Sequence, residues 1–481
     1  MDQTPPHAPG FRSLWDETSV DNLPVVGRIP KWLSGTLFRN GPGAWETPDR
    51  RTRVAHWFDG LGMLHRFGFD NGRVSYRNHF LRTQTHALFT EKSPTLREIG
   101  GFTRDTSGKL FGEEEATFAG GTSDNTSVHV HPVAGKPVAF TETPTAVAFD
   151  PTTLERVEIF DFGGDQGVNQ GTAHQHLDPD TGELISYGLR FGRVSSYVLT
   201  STPPGSRERR VIAEIETDRP SYIHDFSVTS NYIVLPEWPL RTSALRMLMV
   251  RNTEAGFFNG FAPDNDLPVR FHIIERATGK VVGVSEASTC FGFHDVNAYE
   301  ADDGTIVCDI CVYDKLNVAN DLLLANLRTG VDSDNGRLVR YTLPVNGGQA
   351  KEETLFDNTF ELPRVRESLC GKRYRYSYAL SEPKEGPGFL DRIVKHDHET
   401  HETIAWNEPF CFPGEPIFVA EPSTDATGED DGVLMSVVLE NQPDTEPRSF
   451  LLVLDAVDLQ EIGRAVTPHV VPFGFHGRYF A

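Results

Sequence analysis

The sequence predicts an all-β chain built as a propeller, and three observations carry that prediction. Strand-turn-strand units recur along the whole of the 481 residues. Long helical periodicity is scarce between them. The chain also ends in PFGFHGRYFA, whose Phe473, Phe475, Tyr479 and Phe480 are too apolar to leave in water, so this segment is expected to be buried.

The units run in order as RFGFDNGRVSYRNHF (66–80), AVAFDPTTLERVEIF (146–160), HLDPDTGELISYG (176–188), IIERATGKVVGVSE (273–286), NLRTGVDSDNGRLVRYTL (326–343), VKHDHETHETIAW (394–406) and LVLDAVDLQEIGRAV (452–466). Their flanks alternate apolar and polar with period two, and their turns use Asp, Asn, Gly and Thr, which tolerate tight or left-handed backbone. Hairpins recurring over such a length favour blades packed face to face, because that arrangement buries both faces of each sheet and leaves few edges. One interval departs from the rhythm. PLRTSALRMLMVRNTEAGFFNGFAP (239–263) has helical propensity, no acid between Glu237 and Glu254, and three cations, Arg241, Arg246 and Arg251, beside Phe257, Phe258 and Phe261. It reads as a lid over one end of the propeller or as a patch that dips into a membrane.

Composition bounds the function. With 38% hydrophobic and 23% charged residues the chain can bury a large core. A net charge of −23 disfavours nucleic acid as a partner, since phosphate backbones are bound by clustered positive charge. No apolar run reaches the length of a membrane span, and MDQTPPHAPG has no leader pattern, so a cytoplasmic protein is expected, with membrane contact peripheral at most. Five scattered cysteines do not suggest a disulfide scaffold, and Cys308 and Cys311 sit in TIVCDICVYD, where strand alternation sends them to opposite faces of a core. No nucleophile or paired-acid motif of a hydrolase stands in a convincing context. The Asn125-Thr126-Ser127 triplet is read as a glycosylation signal by chance only.

Four histidines stand in unusual company: His174 in GTAHQHLD, His224 in YIHDFSVTSNYIV, His294 in CFGFHDVNAYE and His476 in FGFHGRYF. Each lies among apolar, aromatic or turn residues in a strand or at its end. Three glutamates are equally awkward: Glu142 in AFTETPTAVAF, Glu361 in NTFELPRV and Glu415 in FPGEPIFVAEP. A carboxylate in an apolar strand is costly unless paired, and the N–H of a metal-bound imidazole is an effective partner. Any one of these seven could be a satisfied core residue. Together they describe a transition-metal centre, although no local ligand spacing such as H-E-x-x-H joins them.

These residues carry a resemblance. From LSGTLFRNGPG (33–43) and HWFDGLGMLH (56–65) through TAHQH, YIHDF, FHDVNAYE and EPIFV to the final FHG, the chain resembles the carotenoid cleavage oxygenases over nearly its whole length. That non-haem iron family includes carotenoid, apocarotenoid and stilbene dioxygenases and the retinal pigment epithelial isomerohydrolase. The resemblance implies a single domain over residues 1–481, a seven-bladed β-propeller with a helical and loop dome over a central iron site. An N-terminal arm of about residues 1–30 and dome or membrane-facing insertions at about 90–120 and 239–263 complete it. Carried over position by position, it implies Fe(II) held by His174, His224, His294 and His476, with Glu142, Glu361 and Glu415 behind them. Thr141 would lie near the iron, and His176 would be a neighbour of the first ligand.

The implied reaction is cleavage of a carbon-carbon double bond of a carotenoid or apocarotenoid with O2 to two carbonyl products, with retinal-forming 15,15′ cleavage as one form. Eccentric or stilbene-type cleavage and a non-catalytic terpenoid-binding propeller are the alternatives. Stilbene-cleaving relatives place a lysine and a tyrosine where hand alignment puts Thr141 and Ile99 here, so a phenolate would meet no cation. The isomerase branch carries a Pro-Asp-Pro-Cys-Lys motif between the positions of Ile99 and Asn125, where this chain has TRDTSGKLFGEEEATFAGG. Imidazoles suit Fe(II), which can engage O2, whereas zinc could fill the site without supplying redox chemistry.

Overall fold

The computed structural model describes residues 4–51, 53–91, 123–163, 167–251, 257–330, 336–383, 389–423 and 428–481. The local rule that builds it is one turn used repeatedly. In DPTTLE, DPDTGE, ERATGK, DHETHE and DAVDLQ the fifth residue donates its backbone N–H to the carbonyl of the first, at 2.8–2.9 Å. That fifth residue, Leu154, Gly182, Gly279, His401 or Leu459, takes a left-handed φ of 59–70°. Where the turn begins with Asp, the carboxylate accepts backbone N–H groups inside it, as Asp150, Asp178 and Asp397 do. Such a turn reverses the chain in four residues and lets flanking strands pair at once.

Seven blades result, antiparallel throughout except where Gly348–Gln349 lies parallel to Val281–Ala287 at the edge of blade IV. Blade II is the simplest: His129–Val133, Lys136–Phe140, Ala146–Phe149 and Arg156–Phe160 pair in sequence order. Blade III runs from Gln170–Gly171 and His176–Leu177 out to Arg210–Thr217. Blade IV starts at Ser227–Val228, blade V at Phe291–Glu300 and blade VI at Glu361–Arg364. Blade VII starts at Cys411–Pro413 and Ile417–Ala420. In blade I the innermost strand is Gly477–Phe480, laid antiparallel against Gly35–Ala44 with Thr36 opposite Phe480 and Arg39 opposite Gly477. The ring is closed a second time at the rim, where Val25–Gly27 pairs with Glu461–Val466 of blade VII. The inner strands adjoin one another around the axis.

Burial follows position within the blade. The strand Ser195–Thr202 is buried throughout, whereas its outer neighbour Arg210–Thr217 shows mostly exposed or half-buried residues. Cys308 packs with the hydrophobic residues shared with blade IV and Cys311 with those shared with blade VI, the opposite faces that strand alternation requires. The aromatic segment near Phe473 and Phe475 is buried against Phe11, Trp57 and Phe389, each such ring stabilising the fold by about 1.5–3 kcal/mol.

Two expectations need correction. NLRTGVDSDNGRLVRYTL is not a hairpin: Leu324–Thr329 is a short α-helix ended by Gly330 at φ 72°, and Arg337–Pro344 pairs with the earlier strand Thr305–Tyr313. Its apolar alternation was real only in the second half; Leu324 instead anchors the helix in the cluster around Trp57. In the 239–263 insertion, an α-helix spans Ala244–Arg251, but Arg241 is buried in an ion pair with Glu237 at 2.6 Å, and Phe258 and Phe261 pack on Tyr222 inside the core. Among the described side chains of the helix, Leu245 and Met249, 67% and 55% exposed, face outward with Arg246. The insertion expected at about 90–120, with Ile99, lies outside the described residues apart from the end of the helix Gln84–Glu91.

The repeated turn makes a signed prediction. His401 holds a left-handed backbone with an exposed side chain, so His401→Gly is expected to raise stability by about 0.5–1 kcal/mol. Leu459→Gly relieves the same strain but removes a buried side chain, and is expected to lower stability. Thermal and denaturant midpoints of the two variants should move in opposite directions.

Candidate metal centre

Each blade delivers one of the seven suspected residues to the axial region. His174 lies between the two inner segments of blade III, His224 just before the inner strand of blade IV, and His294 within that of blade V. His476 directly precedes the closing strand of blade I. Glu142 lies in the connection after Lys136–Phe140 of blade II, Glu361 opens the inner strand of blade VI, and Glu415 joins the two inner segments of blade VII. One ring nitrogen from each of the four histidines falls in a group whose members all lie within 4.8 Å of one another, and all four residues lie in the interior. The Nε2 atoms of His174 and His224 are 3.0 Å apart.

Three imidazoles are held from behind by the three glutamates. His224 Nδ1–H donates to Glu142 Oε1 at 2.5 Å, His294 Nδ1–H to Glu361 Oε2 at 2.5 Å, and His476 Nδ1–H to Glu415 Oε1 at 2.8 Å. A proton held on Nδ1 leaves Nε2 as a lone pair aimed at the axis. The Nε2 of His294 is buried and has no hydrogen-bond partner among the described residues. A divalent cation would satisfy that orphaned atom and the facing Nε2 pair together, so the donor set fits a metal ion.

The carboxylates are themselves fixed. Tyr222 donates its hydroxyl to Glu142 Oε1 at 2.6 Å, and Tyr313 donates to Glu361 Oε1 at 2.6 Å. Glu415, fully buried, accepts from Arg39, from Arg364 Nε at 2.8 Å and from the backbone N–H of Gly477 at 2.8 Å. Burial alone would raise the Glu415 carboxyl, but Arg364, Arg39 and His476 outweigh it and hold the group far below the usual carboxylate range. Burial pushes His476 down to about 4 despite the pull of Glu415, and it keeps His174 well below 6.5. At His294 burial also works against the charged form, yet Glu361 more than offsets it and the group is raised.

The fourth histidine is different. Among the described residues no glutamate stands behind His174; its Nδ1 faces Asp225 Oδ2 at 3.7 Å, and its backbone N–H donates to Thr172 Oγ1. His176 donates Nε2–H to Asp225 Oδ1 at 2.9 Å. Sequence reasoning missed Asp225, Tyr222, Tyr313, Arg39 and Arg364. The repeated His-Asp dipeptide at 224–225 and 294–295 was a signal for the first, whereas the tyrosines and arginines carried none. Thr141 is half-buried one residue before Glu142. Phe293 stands 5.4 Å from the His224 ring and Phe58 stacks edge-on against Phe475, giving the histidines an aromatic flank.

A propeller whose axis gathers four imidazoles, three of them backed by glutamates, has the donor set to hold a divalent metal by histidine alone. The family model described as retinal pigment epithelial membrane protein matches residues 11–481. The carotenoid-cleaving dioxygenase, mitochondrial, of Mustela putorius furo is 31% identical over 98% of this chain and 96% of its own, and that of Homo sapiens 30% identical over 96% and 90%. The chain therefore belongs to the carotenoid oxygenase family and is an oxygenase. Among solved structures, a variant of Synechocystis apocarotenoid oxygenase has a TM-score of 0.86 at 24% identity over the full length of both chains, which shows the shared fold. The cobalt-substituted form of that oxygenase has a TM-score of 0.84 at 25% identity, over 99% of each chain.

Arg39 is 5% exposed and its charge is matched to Glu415. Arg39→Met leaves that carboxylate one cation short, and is expected to destabilise the chelator-treated protein by about 3 kcal/mol. Denaturant unfolding measures it; a change within 1 kcal/mol would mean that Arg364 alone suffices.

Proposed function

We propose that the protein is an Fe(II)-dependent dioxygenase that splits one conjugated double bond of a carotenoid or apocarotenoid with O2 to give two carbonyl products. The observation that carries this reading is the convergence of the four imidazoles with three Nδ1 atoms tied to Glu142, Glu361 and Glu415. His174, His224, His294 and His476 would hold the iron, and Fe(II) held there supplies the capacity to engage O2 beside the alkene. Four neutral ligands leave a 2+ charge uncompensated among the atoms that touch it, and the three carboxylates balance it from behind while fixing each ring. The cobalt-substituted relative supports a divalent ion.

The chain's own residues act by placement. Phe58, Phe293 and Phe475 surround the histidines with apolar faces that exclude water and suit a polyene, and Tyr222 and Tyr313 keep two of the carboxylates from turning toward solvent. Thr141 stands next to Glu142 where stilbene-cleaving relatives are expected to carry lysine, which favours a carotenoid over a phenolic stilbene. Retinal-forming cleavage at the 15,15′ bond is the first form to test. Collection of so apolar a substrate is assigned to a peripheral membrane contact through Leu245 and Met249 of the helix Ala244–Arg251. No helix among the described residues is long and apolar enough to cross a membrane.

Fe(II)-loaded protein with O2 should convert detergent-dispersed β-carotene or a β-apocarotenal to shorter carbonyl products, identified by chromatography with mass detection. Retinal marks central cleavage, other aldehydes mark an eccentric bond, and no product from any polyene with iron bound would refute the reaction. His294→Ala is expected to lose both iron and turnover; full retention of both would remove His294 from the ligand set. Leu245→Ser combined with Met249→Ser should reduce sedimentation with liposomes without changing iron content, and unchanged sedimentation would end the membrane assignment.

A further inference from the structure

Three of the four histidines at the centre rest on a glutamate; the fourth, His174, does not. What stands behind it is a small buried network that the rest of the mechanism leaves unused. Asp225 is 6% exposed. Its Oδ1 accepts from the backbone N–H of Phe226 at 2.8 Å and from His176 Nε2–H at 2.9 Å, and its Oδ2 accepts from the backbone N–H of Asp295 at 3.0 Å. The same Oδ2 faces His174 Nδ1 at 3.7 Å. The Asp295 carboxyl points elsewhere, accepting from Ser227 Oγ. His176 is itself seated edge-on against the Phe226 ring, with centroids 4.7 Å apart.

We propose that Asp225, set in place by His176, is the fourth carboxylate of the centre and positions His174 as Glu142, Glu361 and Glu415 position the other three histidines. The inference rests on the reading of the four histidines as metal ligands. Two backbone donors and one imidazole fix the carboxylate plane, so it cannot swing away from His174. At 3.7 Å the contact is longer than a hydrogen bond and acts through charge, with a modest turn of the His174 ring enough to close it. The backbone end of His174 is fixed separately, by Thr172, whose hydroxyl accepts its N–H at 2.9 Å and donates to the carbonyl of His224 at 2.8 Å. Ring direction is thus left to Asp225. The sequence expresses the arrangement as alternate histidines in A-H-Q-H, the first for the metal and the second for the carboxylate, joined to the aspartate that follows His224.

The test uses the full chain loaded with Co(II) as the probe and reads chelator-driven metal release and the visible bands of bound Co(II), with thermal unfolding of the metal-free protein alongside. Asp225→Asn keeps the shape and removes the charge. It is expected to speed release by about tenfold or more and to shift the cobalt bands, as Glu361→Gln should, because groups behind metal ligands are typically worth about 10–100-fold in affinity. His176→Gln should act in the same direction by about threefold, and it decides the matter if Asp225→Asn fails to fold. A folded Asp225→Asn, or failing that a folded His176→Gln, with wild-type release and wild-type bands would overturn the proposal while leaving the metal site intact. Wild-type protein that takes up no Co(II), or His174→Ala that holds it as tightly as wild type, would instead overturn the ligand reading, and this proposal with it.

Discussion

Three carboxylate-imidazole hydrogen bonds around the propeller axis are the interaction on which the rest of the structure depends. Each joins residues from different blades: Glu142 of blade II to His224 of blade IV, Glu361 of blade VI to His294 of blade V, and Glu415 of blade VII to His476 of blade I. A buried carboxylate without such a partner would cost several kcal/mol. The blades therefore cannot slide past one another without breaking a charged contact in the interior. The tyrosines on Glu142 and Glu361 and the two arginines on Glu415 extend the same constraint outward, so that the centre is rigid before any metal enters.

The scaffold reaches that arrangement with cheap local parts. One turn, closed by a backbone bond from its fifth residue to its first, recurs in five blades, and the strands on either side differ only in how much water they see. Stability and chemistry are separated by radius: the rim carries the alternating polar strands and the axis the ionisable groups. The second closure, Val25–Gly27 on blade VII, ties the rim while the strand after His476 ties the centre.

What was legible in the sequence divides along the same line. Period-two alternation and Asx turns are local signals, and six of the seven hairpins read from them are hairpins of the fold. The exception, at 326–343, failed because Leu327 fits a short helix as well as a strand, and Gly330 ends such a helix as readily as it opens a turn. The four histidines and three glutamates were visible because a charged or ionisable group among apolar neighbours is conspicuous. Arg39, Arg364, Tyr222 and Tyr313 were not, since arginine or tyrosine in a strand is ordinary and only the closing of the ring shows what each one meets. Arg241 went wrong for the converse reason: it looked like surface charge, and its partner Glu237 lies four residues away on the inside.

The distribution of the four histidines has a bearing on how the chain would come by the proposed metal. They are spread from residue 174 to residue 476: three come from the consecutive blades III, IV and V, and the fourth, His476, is set in place only when the last strand closes blade I. The full set of four imidazoles therefore exists only once the ring is closed, and a nascent chain that lacks its last strand lacks the fourth. On the proposed reading, a metal able to react with oxygen would meet all four of its ligands only in a closed ring, so that the fold acts as its own licence for loading.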